Sequence, residues 1–363
     1  MQVSKTIILS ILLFVFVIVL AEVFIGIFSD FNDIRRAYNA FHSEVNPVKL
    51  YSKIYKPNLQ VVLKSEWRPE GDKYIAASEP RKFFTNEDGY ITVSFDYKRN
   101  KEKNKIIFVG GSITECNDVD EMFRFPYLTG KNLADKYGLV FDTLNYGVRG
   151  HTTQDSIVLL MYFHRYYEPQ YLAIMHNLND LSRLRSNLTY KESNKKPSIR
   201  QYAIDAIEYM RYKLNLAFLA VKFLEQHKII KVRFPGDHRP PTYIQKIVKE
   251  KIEVMGDEVF FEIISKQYKE NLITLVEISR IYGITPVLIT QPIGFVDEKH
   301  HSFNKTLVGV SEAYKVPLID LDGEMPESRY KYFFEDKIHL SNEGSILAAE
   351  IISKKLAELI SNE

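Results

Sequence analysis

Cysteine is nearly absent from this chain: Cys116 is the only one among 363 residues. A disulfide within one chain and a thiolate metal cluster are therefore both excluded. That scarcity fits a reducing compartment, and it fits equally a bacterial exported protein built without disulfides. Net charge is also missing. The formal total is +2, which selects no class of partner. No basic run interleaved with aromatics and no zinc-finger spacing occurs, so nucleic acid is not an expected partner. Gly110-Gly111 lacks the Lys-Ser/Thr pair of a phosphate loop and is no dinucleotide fingerprint; H-E-x-x-H does not occur. No cofactor and no metal is expected. His300 and His301 are adjacent, but neighbouring residues point apart on a strand or helix, so they are read as exposed loop histidines. Repeats and low-complexity tracts are absent too. What remains is ordinary globular composition, 45% hydrophobic and 26% charged, enough to bury a sizeable core.

The N-terminus departs from this. Residues Ile7 to Phe28 are apolar except for Ser10, Glu22 and Gly26. A helix needs about 20 mostly apolar residues to cross a bilayer. Residues 1–28 are therefore expected to be a transmembrane anchor that holds the protein on a membrane, single-pass, with the remaining domain outside the cytoplasm. The alternative is a signal segment cleaved after Val19-Leu20-Ala21, which would release the protein. The apolar character resumes after Glu22, which favours the anchor. Flanking charge does not set orientation, because Lys5 on one side faces Arg35 and Arg36, offset by Asp30 and Asp33, on the other.

Residues 29–104 read as a stem and a small β-hairpin region. Asn86-Glu87-Asp88-Gly89 is a turn signal, and Tyr90 to Phe95 alternates as a strand does. From Lys105 the pattern changes. Short apolar runs at Ile106–Val109, Val140–Leu144, Tyr171–Met175, Thr285–Ile289 and Val316–Ile319 alternate with helical segments such as 121–137, 154–166 and 259–282. A last helix covers 342–359. Such alternation predicts an α/β fold, a flavodoxin-like doubly wound parallel sheet of five strands. The interval between the third and fourth runs is too long for a plain crossover, so a helical insertion is expected at about 181–270.

In open parallel sheets, ligands bind beyond the carboxyl ends of the strands. The residues that follow each run are Gly110-Gly111-Ser112-Ile113-Thr114, Asn145-Tyr146-Gly147, His176-Asn177-Leu178-Asn179-Asp180 and Gln291-Pro292. Asp336-Lys337-Ile338-His339 precedes the last helix. These groups fit acyl transfer. A serine hydroxyl needs a base to take its proton. His339 can be that base, and Asp336, three residues earlier, can reach its ring and fix the tautomer. The oxyanion of the tetrahedral intermediate needs donors, each worth about 3 kcal/mol. The candidates are the N–H of Ser112, the N–H of Gly147 and the side-chain amide of Asn179. Glycine at 147 permits close backbone approach. Cys116 is read as a small buried residue, not a nucleophile. Ser112 lies in no G-x-S-x-G elbow, which argues against the α/β-hydrolase arrangement.

Ser in GGSIT, Gly in NYG, Asn in NLND and His in DKIH, in that order, resemble the SGNH (GDSL-like) hydrolase superfamily over residues 105–363, apart from the insertion. The resemblance implies the flavodoxin-like fold and metal-free esterase, lipase or carbohydrate-deacetylase chemistry. It implies Ser112, His339 and Asp336 as catalytic residues, and Ser112, Gly147 and Asn179 as the oxyanion hole. The first block reads GGS where the family motif has GDS, a variant frequent in sugar-modifying members. The third opens with Asn177 where glycine is usual. The expected substrate is an acylated, above all O-acetylated, small molecule or cell-surface glycan. Two other readings stay open: an O-acyltransferase using the same triad, and a non-catalytic surface-binding protein on the same fold.

The insertion carries 18 Lys and Arg against 11 Asp and Glu, so basic character is concentrated there. Its Leu214–Leu224 stretch is too apolar for a freely solvated helix and too short to span a bilayer. It is read either as a helix packed on the main domain or as a lid or docking element attracted to anionic lipid or glycan.

Overall fold

The computed structural model describes residues 45–47, 53–63, 67–70, 73–76, 81–93, 104–187, 190 and 252–362. Two compact units divide the chain. One comprises Met1–Glu44, Val61–Pro80 and Asn194–Gly236; the other comprises Val45–Gln60, Arg81–Ser193 and Asp237–Glu363. Strands β1 (Val45–Pro47) and β2 (Lys53–Tyr55) pair antiparallel in the larger unit, and β3 (Gln60–Leu63) follows. Within the smaller unit, β4 (Trp67–Glu70) and β5 (Lys73–Ala76) form an antiparallel pair with Trp67 opposite Ala76.

The main sheet uses β6 (Arg81–Thr85), β7 (Ile91–Thr92), β8 (Lys105–Gly110), β9 (Asp142–Asn145), β10 (Tyr171–Met175), β11 (Thr285–Ile289) and β12 (Leu318–Ile319). Its order in the larger unit is β12-β11-β10-β8-β9-β7-β6. The five runs read from sequence, β8 to β12, all pair in parallel. Their order is the doubly wound one. The sheet as a whole is mixed, however, and this corrects the expectation of a purely parallel sheet of five strands. β7 pairs antiparallel with β9, placing Ile91 opposite Asn145, and β6 pairs antiparallel with β7. The physical reason is the Asn86–Gly89 turn. Asn86 Oδ1 accepts from the N–H groups of Asp88 (3.1 Å) and Tyr90 (3.0 Å), and Gly89 takes a φ of +82°. The tight hairpin this makes covers the edge that β9 would otherwise leave unpaired. The sheet therefore reaches past the boundary expected at residue 104.

Successive residues of the central strands enter opposite cores, as the period of two requires. Ile107 and Val109 join one cluster with Leu172, Ile174 and Leu288. Ile106 and Phe108 join the other with Ala173, Val287 and Ile289. Every residue of β8 and β10 is buried, which is why these strands read as continuous apolar runs. Removing one such side chain, as in Ile107→Ala, would cost about 2–5 kcal/mol.

Helices cover both faces. They are α1 (Ser112–Glu115), α2 (Phe125–Tyr137), α3 (Thr153–Tyr167), α4 (Leu178–Asn187), α5 (Asp257–Ile281), α6 (Glu298–Tyr314), α7 (Leu321–Glu324) and α8 (Asn342–Ile360). α3, α5 and α6 supply Phe163, Ile264 and Phe303 to the first cluster. α2 and α8 supply Phe125 and Ile352 to the second. α5 buries Phe260, Ile264, Tyr268, Leu272 and Leu275, a helical stripe belonging to the crossover. Residues 257–270, expected within the insertion, are thus part of the crossover helix. His300 also departs from expectation. It lies in the first turn of α6, where the cap Asp297 accepts from its N–H at 2.7 Å. It is buried, and burial lowers its pKa to about 4.

Among the described residues no helix is long and apolar enough to cross a membrane. The Ile7–Phe28 run, the end of the expected strand at Ser94 and Phe95, and the Leu214–Leu224 stretch all lie outside the described residues.

Candidate active site

The parallel strands reverse direction of travel at β8, which has β9 on one side and β10 on the other. Beyond their carboxyl ends a crevice is expected, and the sequence-predicted groups gather there. β8 ends at Gly110, and Ser112 opens the single turn α1 after an extended Gly111. A Cβ on Gly111 would stand 2.1 Å from Asn179 Nδ2. Only glycine lets the amide that follows β10 press against the backbone beside Ser112.

His339 reaches Ser112 from a loop pinned at both ends. Phe333 and Leu340 form an antiparallel bridge, and the Phe334 N–H donates to the His339 carbonyl at 2.8 Å. Ser341 then caps α8 by accepting from the Gly344 N–H. Inside the loop, Lys337 takes a left-handed φ of +57°, and the tight turn brings Asp336 back beneath His339. Asp336 Oδ1 accepts from the N–H groups of Ile338 (2.8 Å) and His339 (2.9 Å). Asp336 Oδ2 lies 2.5 Å from His339 Nδ1. His339 Nε2 lies 2.8 Å from Ser112 Oγ. With Nδ1–H donated to the carboxylate, Nε2 carries the lone pair that faces the serine hydroxyl.

Burial alone would lower the pKa of His339. The hydrogen bond to Asp336 and the charges of Asp118 and Asp336 outweigh burial, and the net direction is upward, with Arg149 opposing. Burial likewise works to raise Asp336, but its bonds to His339 and to the Ile338 N–H hold the carboxyl below its ordinary value. Only neutral imidazole accepts a proton, so activity should rise with pH through a midpoint above the ordinary histidine value near 6.5. Asp336→Asn should move that midpoint down, because the raising contribution is lost, and should lower kcat by roughly 10³-fold by disturbing the tautomer. A pH–rate profile of both proteins checks this; an Asn variant with an unmoved midpoint would separate Asp336 from the base.

On the oxyanion side, Asn179 is the second residue of α4, and one N–H of its amide donates to the His151 carbonyl at 2.9 Å. The other amide hydrogen remains to serve an oxyanion. Asn179→Ala should lower kcat by about 10²–10³-fold while KM changes little, since the donor matters most when charge develops. Steady-state kinetics on an aryl ester would detect the loss, and a near wild-type kcat would remove Asn179 from the site. The Gly147 N–H donates to Asn145 Oδ1 at 2.9 Å. A Cβ at this position would lie 2.3 Å from the Glu115 nitrogen. The glycine lets the loop after β9 lie against the nucleophile turn.

Other residues that follow the strands hold the site in place. Asp180 accepts from Thr153 N–H (3.0 Å), Thr153 Oγ1 (2.6 Å) and the Tyr190 hydroxyl (2.7 Å). It ties the start of α3 to the turn bearing Asn179, and burial pushes its pKa up to about 7. His176 Nε2 meets Ser156 Oγ at 2.7 Å, and burial holds that ring neutral, with a pKa near 3. Gln291 Oε1 accepts from the Leu178 N–H at 2.8 Å. Asn177, where glycine is usual, donates to the His300 carbonyl and to Asn304 Oδ1. It fastens the third block to α6. Cys116 donates to the Ile113 carbonyl, and burial raises its thiol to about 12, so it is no nucleophile. Glu115 and Tyr55 are bonded to each other behind Ser112.

A model of the GDSL-like lipase/acylhydrolase family matches residues 108–345, a stretch that holds all four blocks. No curated protein matches the chain. Among solved structures it is similar to a lipase/acylhydrolase from Enterococcus faecalis, at 18% identity and a TM-score of 0.42, covering 70% of this chain and 96% of that one. It is also similar to the psychrotrophic esterase EstA from Pseudoalteromonas sp., at 12% identity and a TM-score of 0.43, covering 71% and 99%. For TesA the values are 14%, 0.43, 70% and 99%.

Proposed function

The chain belongs to the GDSL-like lipase/acylhydrolase family and is an esterase of the SGNH type, and we propose that it removes short acyl groups, above all acetyl, from a carbohydrate or cell-surface glycan. One observation carries the reading: Ser112 Oγ, His339 and Asp336 form a single hydrogen-bonded chain, with separations of 2.8 and 2.5 Å. Ser112 Oγ attacks the ester carbonyl and its proton passes to His339 Nε2. The tetrahedral oxyanion is held by the Ser112 N–H, the Asn179 amide and the Gly147 N–H, the last shared with Asn145 Oδ1. Collapse expels the sugar alkoxide, which takes the proton from His339. Water, deprotonated by the same imidazole, then releases the acid and restores Ser112.

The short acyl group is supported by the small recess beside the nucleophile, lined by Ile113, Cys116, Val119 and Leu340 together with Ser112, Asp118 and His339. The glycan is supported by the GGS form of the first block. Action outside the cytoplasm is supported by the Ile7–Phe28 run, which would tether the domain to a membrane. The test is kcat/KM on aryl acetate, butyrate and octanoate, together with acetate release from an O-acetylated polysaccharide. Acetate should be the best aryl ester and the polysaccharide should be deacetylated. A preference for octanoate would overturn the short-acyl reading.

A further inference from the structure

The matched family region begins at residue 108, yet the nucleophile turn is held by residues that precede it. Ser112 and Glu115 are the first and last residues of α1. The Glu115 side chain is fully buried. There its Oε1 accepts from the Tyr55 hydroxyl at 2.5 Å. Tyr55 is the last residue of β2, and it too is buried. Among the described residues the second carboxyl oxygen, Oε2, meets no hydrogen-bond donor. A buried carboxyl with one oxygen unmet is costly, by about 1–3 kcal/mol or more. Stability alone does not account for this choice of residue. Burial pushes the Glu115 pKa upward, with the charge of Arg149 and the bond from Tyr55 opposing.

The remaining contacts all grip the same turn. The Glu115 carbonyl accepts from Asn145 Nδ2 at 3.3 Å. The next carbonyl, on Cys116, accepts from Arg124 Nε at 3.2 Å. Arg124 is itself buried and reaches the hairpin through the Lys82 carbonyl, at 2.7 Å. The ring of Tyr55 packs edge-on against Phe83 of β6 with centroids 4.9 Å apart, and the Arg124 guanidinium lies 5.4 Å from the Phe83 centroid. Tyr55 is therefore fixed by the hairpin, and Glu115 is fixed by Tyr55. A one-turn helix has no stability of its own, so the rotation of α1, and with it the direction of Ser112 Oγ, depends on what holds its far end.

We infer that Tyr55 and Glu115 are positioning residues for Ser112, through which the segment ahead of the family region becomes part of the catalytic unit. The inference rests on Ser112 being the nucleophile. A displacement of 1 Å can cost about 10² in rate, and losing this bond would let the turn rotate by less than that. The test uses the full-length protein with Tyr55→Phe, Glu115→Gln, Glu115→Leu and the double variant Tyr55→Phe/Glu115→Leu. Each is assayed for kcat and KM on an aryl acetate and for the rate constant of fluorophosphonate labelling, well below its unfolding temperature. Tyr55→Phe should lower kcat and the labelling rate in parallel, by about tenfold, with KM within about twofold. Glu115→Gln keeps a carbonyl for the tyrosine and should retain most of the activity. Glu115→Leu should match Tyr55→Phe, and the double variant should lose no more than either single change, because both remove one bond. Should Glu115→Leu not fold, the comparison of Tyr55→Phe with Glu115→Gln still decides. Unchanged kcat and labelling in Tyr55→Phe would overturn the inference. So would a Gln variant as damaged as Tyr55→Phe, since the charge and not the bond would then matter. Wild-type protein that resists the probe would overturn the nucleophile assignment and this inference with it, a result distinct from labelled wild type beside an unaffected Tyr55→Phe.

Discussion

Ser112→Ala should lower kcat on an aryl acetate by about 10⁶-fold while leaving the fold intact. The size follows from what the substitution removes. Without Oγ there is no covalent intermediate, and His339 is left with no hydroxyl to deprotonate. The donors remain: the Ser112 N–H is a backbone group, and the Asn179 amide is held by the His151 carbonyl. Residual catalysis of about 10³–10⁴ over water is therefore expected. The fold should tolerate the change. Ser112 is only partly buried at the start of α1, and its hydroxyl caps no backbone group among the described residues. Circular dichroism and the unfolding midpoint should match wild type, and fluorophosphonate labelling should vanish. Activity within tenfold of wild type, with labelling retained, would place the nucleophile elsewhere.

The groups proposed as catalytic were legible because the strands that deliver them are legible. β8 and β10 are buried on both faces and read as unbroken apolar runs, so the residues after them had to lie at a strand end. Asp336 and His339 were legible through their spacing, since three residues around a tight turn bring a carboxylate to its own histidine. The edge of the sheet was less legible. β7 has two residues, and its pairing with β9 is a long-range match that no local pattern announces. Gly147 shows a second limit. Sequence marks a position where a side chain is not tolerated, but not whether the reason is an oxyanion or the Glu115 backbone lying where its Cβ would be. The Tyr55–Glu115 bond spans 60 residues and joins a strand ending to a one-turn helix. Neither element has a periodicity from which a partner could be read. His300 is helical for a local reason: Asp297 caps α6 by accepting from the His300 N–H, and the helix it starts buries the histidine.

Replacing the base should have an effect as large as replacing the nucleophile. His339→Ala removes the acceptor 2.8 Å from Ser112 Oγ and should lower kcat by about 10⁶-fold. A serine hydroxyl without a base is essentially unionised at neutral pH, so intact oxyanion donors cannot compensate. The two losses should not add. The Ser112→Ala/His339→Ala double variant should be no slower than either single variant, because Oγ and Nε2 act in one proton transfer. The protein should fold, since the His339 side chain is 24% exposed and that of Asp336 is 36% exposed. Water can then solvate the carboxylate left behind, and its pKa should rise because the imidazole that helps to depress it is gone, while the two backbone N–H bonds stay. The partly exposed void beside Ser112 also admits a small molecule. Imidazole added to His339→Ala should restore part of the activity, in proportion to its neutral form, and should restore nothing to Ser112→Ala. Equal stimulation of both variants would mean that imidazole attacks the ester in solution, and a His339→Ala protein as active as wild type would end the assignment of His339 as the base.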